Sequence, residues 1–415
     1  MFKREPEANE ERKEQQEQQE QQGQEARAPL TRGLMLLLAA ACGLIVANLY
    51  YSQTLAGPIG EATGLSPQAT GLIVTLTQVG YVLGLLFVVP LSDLAENRRL
   101  AVISLAVLVA ALAAAMLADS AALFLAASLV IGIGAVVAQI LVPYAAFLSS
   151  EEQRGQAVGN VMSGLLLGIM LARPAASFIA GFWNWHAVFG LSAVLMVVLA
   201  ALLARVLPKR RPEPALTYGG LLLSLGGLLR HTPVLRRRAL YQASLFGVFS
   251  LFWTTVPLYL ADRFQLSQQG IAWFALAGVG GAAAAPVAGR LADRGLTRPL
   301  TAAALGTAAA SFAAAHWIRG DSVLSLIGLA LIAIVLDMAV SGNLVLGQRA
   351  IYALGSETRG RLNGLFMAIF FIGGAAGSSI GGWAYATGGW ELATLIGAVP
   401  PLLALAYSLT DRSRT

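Results

Sequence analysis

Apolar positions in this chain fall in long runs that short polar breaks separate. Most runs have about twenty residues, the length that a helix needs to cross the hydrocarbon core of a bilayer. They lack the strict apolar–polar alternation of membrane β-barrel strands. We therefore predict an all-α polytopic membrane protein with twelve transmembrane helices. The predicted spans are Leu34–Leu55, Ala69–Leu91, Leu100–Leu117, Ala121–Leu148, Ala157–Phe182, Ala187–Leu207, Leu240–Leu260, Ile271–Gly289, Leu300–Ile318, Val323–Gly347, Leu362–Thr387 and Leu392–Leu409.

The polar segments divide the chain into a tail, two six-helix bundles and a connector. The tail is rich in Glu and Gln without apolar periodicity, so we predict that it is disordered and solvated. In the connector, the apolar piece Leu216–Leu229 is too short to span and has basic flanks, and we expect it to lie along the membrane interface. The predicted boundaries are 1–33 for the tail, 34–207 for the first bundle, 208–239 for the connector, 240–409 for the second bundle and 410–415 for a short second tail.

Most basic residues outside the spans fall on one side of the predicted membrane. That side receives the long tail, the connector and several loop arginines, whereas the other side receives only Arg263 and Arg319. Because segments rich in Lys and Arg stay in the cytoplasm, we predict that both termini are cytoplasmic and that the protein lies in an inner or plasma membrane. This distribution accounts for the net charge of +6, so nucleic acid is not an expected partner.

Composition narrows the functional class further. Hydrophobic residues make up 57% of the chain and charged residues only 12%, whereas a soluble domain has about 25% charged residues. The single cysteine, Cys42, lies inside the first apolar run, so we expect neither a disulfide framework nor a metal site. The sequence has no Walker-type phosphate loop and no paired carboxylates or Ser–His arrangement at membrane depth. We therefore predict that the protein is not an enzyme, is not driven by ATP and needs no cofactor.

Two halves of the chain repeat one another at an almost constant spacing. The pattern E-x-R-G-x-x-x-G follows both the fourth and the tenth predicted span, and a tryptophan precedes both the sixth and the twelfth span. Such agreement predicts a duplicated six-helix unit, an architecture in which the substrate site lies between the halves near the membrane midplane. The matching residues are Glu152, Arg154, Gly155, Gly159 and Trp185 in the first half, and Glu357, Arg359, Gly360, Gly364 and Trp390 in the second.

The loop PLSDLAENRR after the second span and its counterpart GRLADRGLTR after the eighth resemble the signature loops of the major facilitator superfamily. The segments NLYYSQTL, TLTQVGYVLGLLFVVPLSD and GLLLGIMLARPAASF are similar to a bacterial branch of predicted efflux permeases. The resemblance implies transport by alternating access. It also implies that the signature loops form a conformational latch, whose residues would be Asp93, Arg98, Asp293, Arg294 and Arg298.

Two charged residues lie deep inside apolar spans. Asp337 is near the middle of the tenth span and Arg173 is in the fifth, where it departs from the helix signature of proton antiporters in the resembled family. Because a charge at this depth is costly and an arginine stays protonated, each needs a partner or a cavity. Helix-rise counting puts the two at similar depth, so we predict that they pair. The pair is either a permanent structural bond or a proton-coupling switch.

In the resembled family the first, fourth, seventh and tenth spans line the cavity. Polar and aromatic residues there suit a neutral or amphipathic organic molecule, although each could instead bond helix to helix. These cavity candidates, with one from the second span, are Asn48, Tyr51, Gln53, Gln78, Gln139, Tyr144, Trp253, Thr254, Tyr259, Ser341 and Asn343.

These observations predict a secondary active transporter that exports a small organic compound in exchange for protons. Its expected partners are a small-molecule substrate, membrane lipid and protons, and we expect a monomer. One alternative is a uniporter or uptake carrier for a small polar or anionic solute that Arg173 would hold. A second is a membrane sensor on a transporter fold that signals through the Glu/Gln tail.

Overall fold

The computed structural model describes residues 31–149, 153–212, 217–318, 320–354 and 359–410, and every regular element in these ranges is helical. This confirms the predicted all-α class. The elements of the first half are α1 (Arg32–Ala47), α2 (Tyr51–Thr63), a 3₁₀ turn (Pro67–Ala69), α3 (Leu72–Leu83) with π-helical (Gly84–Val88) and 3₁₀ (Val89–Asp93) extensions, α4 (Asn97–Met116), α5 (Ala121–Ala135), α6 (Val137–Leu148), α7 (Arg154–Phe182) and α8 (Trp185–Val206).

The second half follows a separate connector helix, α9 (Tyr218–His231). Its elements are α10 (Pro233–Phe264), α11 (Gln268–Ala275), a 3₁₀ segment (Leu276–Ala283), α12 (Ala284–Asp293), α13 (Thr297–Trp317), α14 (Val323–Tyr352) and α15 (Arg359–Leu409).

Within the described ranges, nine helical stretches are long and apolar enough to cross a membrane. One of them, α15, has 51 residues and is broken at Gly388 and Gly389. An unbroken helix of that length would reach about 75 Å, far more than a bilayer needs, so the break separates the eleventh and twelfth predicted spans. The eighth span is built from α11, the 3₁₀ segment and α12, and the ninth corresponds to α13. The total of twelve spans and the domain boundaries remain predictions.

The packing partners of the helices repeat between the halves. In the first half α1 packs on α7, α3 on α5 and α4 on α8; in the second α10 packs on α15, α12 on α14 and α13 on α15. The two most extensive helix–helix contacts between the halves are α3 with α15 and α7 with α11. Exchanging the halves turns one of these contacts into the other, as a two-fold pseudosymmetry requires. The duplicated sequence patterns agree, because α7 begins at Arg154 and α15 at Arg359. Glu152 and Glu357, the first residues of the two patterns, lie outside the described residues.

Equivalent glycines bring equivalent helices into close contact. A Cβ atom added at Gly43 on α1 would lie 2.6 Å from the carbonyl oxygen of Gly164 on α7. A Cβ added at Gly247 on α10 would lie 2.9 Å from the carbonyl oxygen of Gly373 on α15. Small residues permit this approach of two backbones, which is how many transmembrane helices associate.

We expect Gly43→Ala to destabilise the protein, because the new methyl group would press on a backbone atom that cannot rotate away. Overpacking of this kind costs about 1–3 kcal/mol, and the melting temperature in detergent measures it. Gly226→Ala is the matched control, since a Cβ at Gly226 on α9 has no atom within 4 Å. That control should keep or raise the melting temperature, because alanine favours helix over glycine by up to about 1 kcal/mol. Equal melting temperatures for the two variants would contradict the close packing.

The connector helix α9 bridges both halves at one end of the bundle, which we call the connector side. The Tyr218 hydroxyl donates to the Phe87 carbonyl at 2.9 Å, and Arg361 at the start of α15 donates to the Ser224 hydroxyl at 3.0 Å. Leu221 and Leu225 on α9 are buried. The apolar piece predicted in the connector is therefore an amphipathic helix that holds the two halves together on this side.

The residues of the predicted latch lie at the connector side. The charges of Arg210 and Arg361 both act on Asp93, and Arg98 donates to the Leu207 carbonyl at 3.3 Å. In the second copy, the backbone of Asp293 ends α12, but its side chain is outside the described part of the chain. Arg294 is exposed, and Arg298 lines a small surface cavity together with residues of α10 and α15. The first copy therefore joins the two halves electrostatically, and the conformational role of both copies remains a prediction.

Candidate functional site

The two buried charges among the described residues meet between the halves of the chain. Arg173 on α7 and Asp337 on α14 approach to 3.5 Å through Nη2 and Oδ2, and they are 1% and 3% exposed. Each residue comes from a different half, so their contact depends on how the halves sit against each other. Breaking a buried pair leaves an uncompensated charge, which is strongly destabilising. The pair is thus an electrostatic link between the two halves.

Trp253 on α10 contacts both members of the pair. Its indole N–H donates to Oδ1 of Asp337 at 2.9 Å, and the Arg173 guanidinium carbon lies 3.9 Å from the centroid of its ring. The guanidinium is also 5.0 Å from the ring of Phe249. A cation over an aromatic face is attracted by the ring quadrupole. These contacts hold both side chains in one orientation without using all of their hydrogen-bonding capacity.

The 3₁₀ segment Leu276–Ala283 closes the site from the eighth predicted span. A Cβ added at Gly278 would lie 2.7 Å from Oδ2 of Asp337, and one added at Gly281 would collide with the Asp337 side chain. Glycine at these two positions lets the backbone pack directly against the carboxylate. The Gly-x-Gly-Gly run at 278–281 was a visible signal, but its relation to Asp337 could not be inferred from sequence.

Several buried polar atoms around Arg173 have no hydrogen-bond partner among the described residues. They are Nε and Nη1 of Arg173, the Ser177 hydroxyl, the Thr254 hydroxyl and both side-chain amide atoms of Gln53. Ser177 lies one helical turn beyond Arg173 on α7, and Thr254 follows Trp253 on α10. Thr54, next to Gln53 on α2, donates to the Arg173 carbonyl at 3.4 Å, so α2 also reaches the pair. Buried polar groups are normally hydrogen-bonded, so these atoms make the surroundings of Arg173 a candidate site for a polar ligand.

Tyr50 completes the site on the side of α2. It is buried, and its hydroxyl lies close enough for the charges of both Arg173 and Asp337 to act on it. Gln53 is three residues further along and therefore on the same face. Phe249, Ser177 and Tyr50 were not among the candidates from sequence, because a buried aromatic or hydroxyl residue in an apolar run gives no charge signal.

Of two further predicted cavity residues, Gln78 joins the two halves, whereas Gln139 contacts a residue of its own half. Gln78 donates from Nε2 to the Ser250 hydroxyl on α10 at 2.8 Å. On the same helix as Gln78, the Thr75 hydroxyl lies 2.9 Å from the Ser378 hydroxyl of α15. Gln139 is half-buried on α6 and faces Tyr81 of α3, in the same half.

Asn48, Tyr51 and Asn343 lie against partners within one half. Asn48 donates to the carbonyls of Leu44 and Ile45 where α1 ends, and Ser192 donates to its amide oxygen at 2.6 Å. Tyr51 is buried at the start of α2, with its hydroxyl beside Ser192. Asn343 donates to Gln242 on α10 at 2.7 Å. Their side chains fasten helix to helix within a bundle.

Tyr144, Tyr259 and Ser341 complete the set. The Tyr144 hydroxyl donates to the Pro208 carbonyl, at the connector side. The Tyr259 hydroxyl donates to the Ile318 carbonyl at 3.1 Å, at the opposite end of the bundle, and its ring stacks on Trp390. Ser341 is half-buried, one turn beyond Asp337 on α14. The structure thus brings Trp253, Thr254 and Gln53 to the charge pair and places the two tyrosines at the ends of the bundle.

Apolar membrane-length helices and a polar centre buried between two related halves define a multi-pass membrane transporter. The family model described as Major Facilitator Superfamily matches residues 35–356 and 250–415. The chain therefore belongs to the major facilitator superfamily, as its signature loops indicated.

Relatives and solved structures agree with this assignment. The chain is 40% identical over 379 residues to the uncharacterized transporter YgaY of Escherichia coli O157:H7, covering 91% of this chain and 95% of the relative. It is 31% identical over 360 residues to the probable transporter SCO4007 of Streptomyces coelicolor, covering 85% and 82% of the two chains. A crystal structure of the peptide transporter POT has the same fold, with a TM-score of 0.75 and 15% identity over 94% of this chain and 98% of that one.

Proposed function

We propose that this protein is a secondary active transporter that exports a small organic compound by alternating access in exchange for protons. In this proposal the protein lies in the bacterial inner membrane, and the connector side faces the cytoplasm. The observation that carries the proposal is the buried Arg173–Asp337 pair, whose members belong to different halves.

A proton on Asp337 is the proposed trigger, for an electrostatic reason. Ionised Asp337 and Arg173 compensate each other in an environment where either charge alone would be costly. Protonation neutralises the carboxyl, so the attraction between the halves weakens at this point. A conformation that separates α7 from α14 then becomes more favourable than before, which is a shift between existing states.

Further polar contacts between the halves lie at the end of the bundle opposite the connector side. There, Gln269 at the start of α11 donates to the Gly181 carbonyl near the end of α7 at 3.1 Å. Thr75 also donates to the Ala375 carbonyl of α15 at 3.2 Å, beside its contact with Ser378. These few polar bonds close one end in this conformation. Rocking of the halves would have to break them to expose the charge pair there.

Proton coupling can be tested with purified protein in lipid vesicles that carry an imposed pH gradient and an internal pH-sensitive dye. We expect compounds that are transported to dissipate the gradient faster than in protein-free vesicles. Their uphill movement should stop when a protonophore collapses the gradient. A compound that the protein moves at the same rate with and without the gradient would indicate a uniporter and would overturn the proposal of coupling.

A further inference from the structure

We propose that the cargo of this transporter is a small zwitterion of the amino acid type, whose carboxylate binds Arg173 and whose ammonium group binds Asp337. This inference rests on the proposed transport function and names the substrate class of the same site. The juxtaposition that carries it is one guanidinium with two unpaired nitrogens and one carboxylate, buried side by side between the two halves.

The first step is the hydrogen bonding of Arg173. A guanidinium has five N–H donors in a planar fork, yet Nε and Nη1 have no acceptor in the described structure. The contact from Nη2 to Asp337 is 3.5 Å, at the outer limit of a hydrogen bond. Planar guanidinium geometry matches a carboxylate, which can accept two parallel bonds. Nε and Nη1 lie on different edges of the guanidinium, and each shares its edge with Nη2, which carries two N–H groups. Arg173 is therefore prepared for a second anionic group that would take one unused nitrogen together with the second N–H of Nη2.

The second step is the charge balance of the site. Among the described residues, Arg173 is the cation whose charge acts on Asp337, so the site holds one positive and one negative group. An anionic cargo would compensate Arg173 and leave Asp337 either stranded or protonated, and protonation would move the anion together with a proton, not in exchange for one. A cationic cargo would strand Arg173. Stranding one member of a buried pair is costly. A zwitterion compensates both charges at once, so it can replace the internal pair without leaving either group alone.

The third step is the surroundings of the pair. The Ser177, Thr254 and Gln53 side chains supply neutral hydrogen-bonding groups without partners in the described ranges. The rings of Trp253 and Phe249 lie against the guanidinium. Ligand sites of this kind combine apolar walls with a few placed polar groups. An aromatic or branched aliphatic amino acid fits this combination better than a sugar, whose many hydroxyls would face aromatic surface.

Zwitterion binding also accounts for exchange with protons. The ammonium group of the cargo and a proton would compete for the same carboxylate of Asp337. A proton entering from one side would therefore displace the cargo, and binding of cargo would displace the proton. Competition of two ligands for one site produces antiport, because the transporter returns with one or the other.

Binding to purified wild-type protein tests this inference without requiring transport. The probes are L-phenylalanine and L-leucine, each with its N-acetyl derivative, which is an anion, and its amide, which is a cation at pH 6. We expect at least one free amino acid to raise the melting temperature by a few degrees at millimolar concentration. Its two single-charge derivatives should give no shift. Equal shifts from all three forms, or no shift from either amino acid, would overturn the inference.

Charge-changing variants provide the decisive comparison. Asp337→Asn should bind the N-acetyl derivative at least tenfold more tightly than the amide, because Arg173 alone remains charged. Arg173→Gln should show the opposite preference. The double variant Arg173→Gln/Asp337→Asn contains no stranded charge and should distinguish neither derivative. The same preference in all four proteins would exclude this site. If the preferences reverse as expected but vesicles show no proton movement, the zwitterion site stands and the proposed coupling fails.

Discussion

We expect Asp337→Asn to abolish proton-driven transport, although the variant should still insert into the membrane and fold. The asparagine keeps an oxygen that can accept from the Trp253 indole, so the side chain can stay in place. The asparagine side chain can neither bind nor release a proton. The variant therefore has one protonation state at this position, whereas the wild type alternates between two. In vesicles with an imposed pH gradient, uphill flux of a transported compound should fall to that of protein-free vesicles.

The same substitution should also reduce stability, because Arg173 loses its compensating charge. Removing one partner of a buried ion pair typically costs about 3–5 kcal/mol. The double variant Arg173→Gln/Asp337→Asn should recover much of this loss, and a double-mutant cycle in the free energy of unfolding measures the coupling. Glu61→Gln is the matched control for flux, because Glu61 is an exposed carboxylate on α2. Gradient-driven transport at the normal rate by Asp337→Asn would remove Asp337 from the coupling mechanism.

The apolar pattern was sufficient to predict the all-α membrane class and the positions of most spans. Hydropathy performs well here because backbone groups in a bilayer must be satisfied within each helix. It is weaker where helices are rich in alanine and glycine. The ninth predicted span, α13, and the interrupted eighth span do not stand out as membrane helices by length and composition alone. Both spans were nevertheless predicted from their apolar runs, and the repeat between the halves agrees with them.

The charge pair was predictable because a charge inside an apolar run is rare and demands a partner. The remaining polar candidates were harder to separate from structural residues. The side chains of Asn48 and Tyr259 both donate to backbone carbonyl oxygens. The sequence around a polar residue does not show where a neighbouring helix ends and leaves such a carbonyl free. Phe249 and Gly278 were missed because neither has a polar side chain that would mark it in the sequence. Their contribution depends on which helix faces them, and that is a property of the fold.

A disulfide across the two halves should arrest transport reversibly. The hydroxyls of Thr75 on α3 and Ser378 on α15 are 2.9 Å apart, so cysteines at these positions are close enough to be bridged. Cys42, the single native cysteine, is buried, and Cys42→Ala removes it from the background. After oxidation, Thr75→Cys/Ser378→Cys should lose flux to the level of protein-free vesicles. A reductant should restore it.

This arrest is expected because the bridge would lie at the end of the bundle that alternating access has to open. A bond within one half should leave the rocking of that half unaffected. Ser322→Cys/Ser325→Cys is the matched control, since those hydroxyls are 3.0 Å apart and belong to the same half. Each single cysteine controls for the substitution itself. If the oxidised pair across the halves transported as fast as the reduced one, the halves would not need to separate at this contact. The closed end seen here would then be a permanent feature of the fold, and the Arg173–Asp337 pair would have to be reached from the connector side alone.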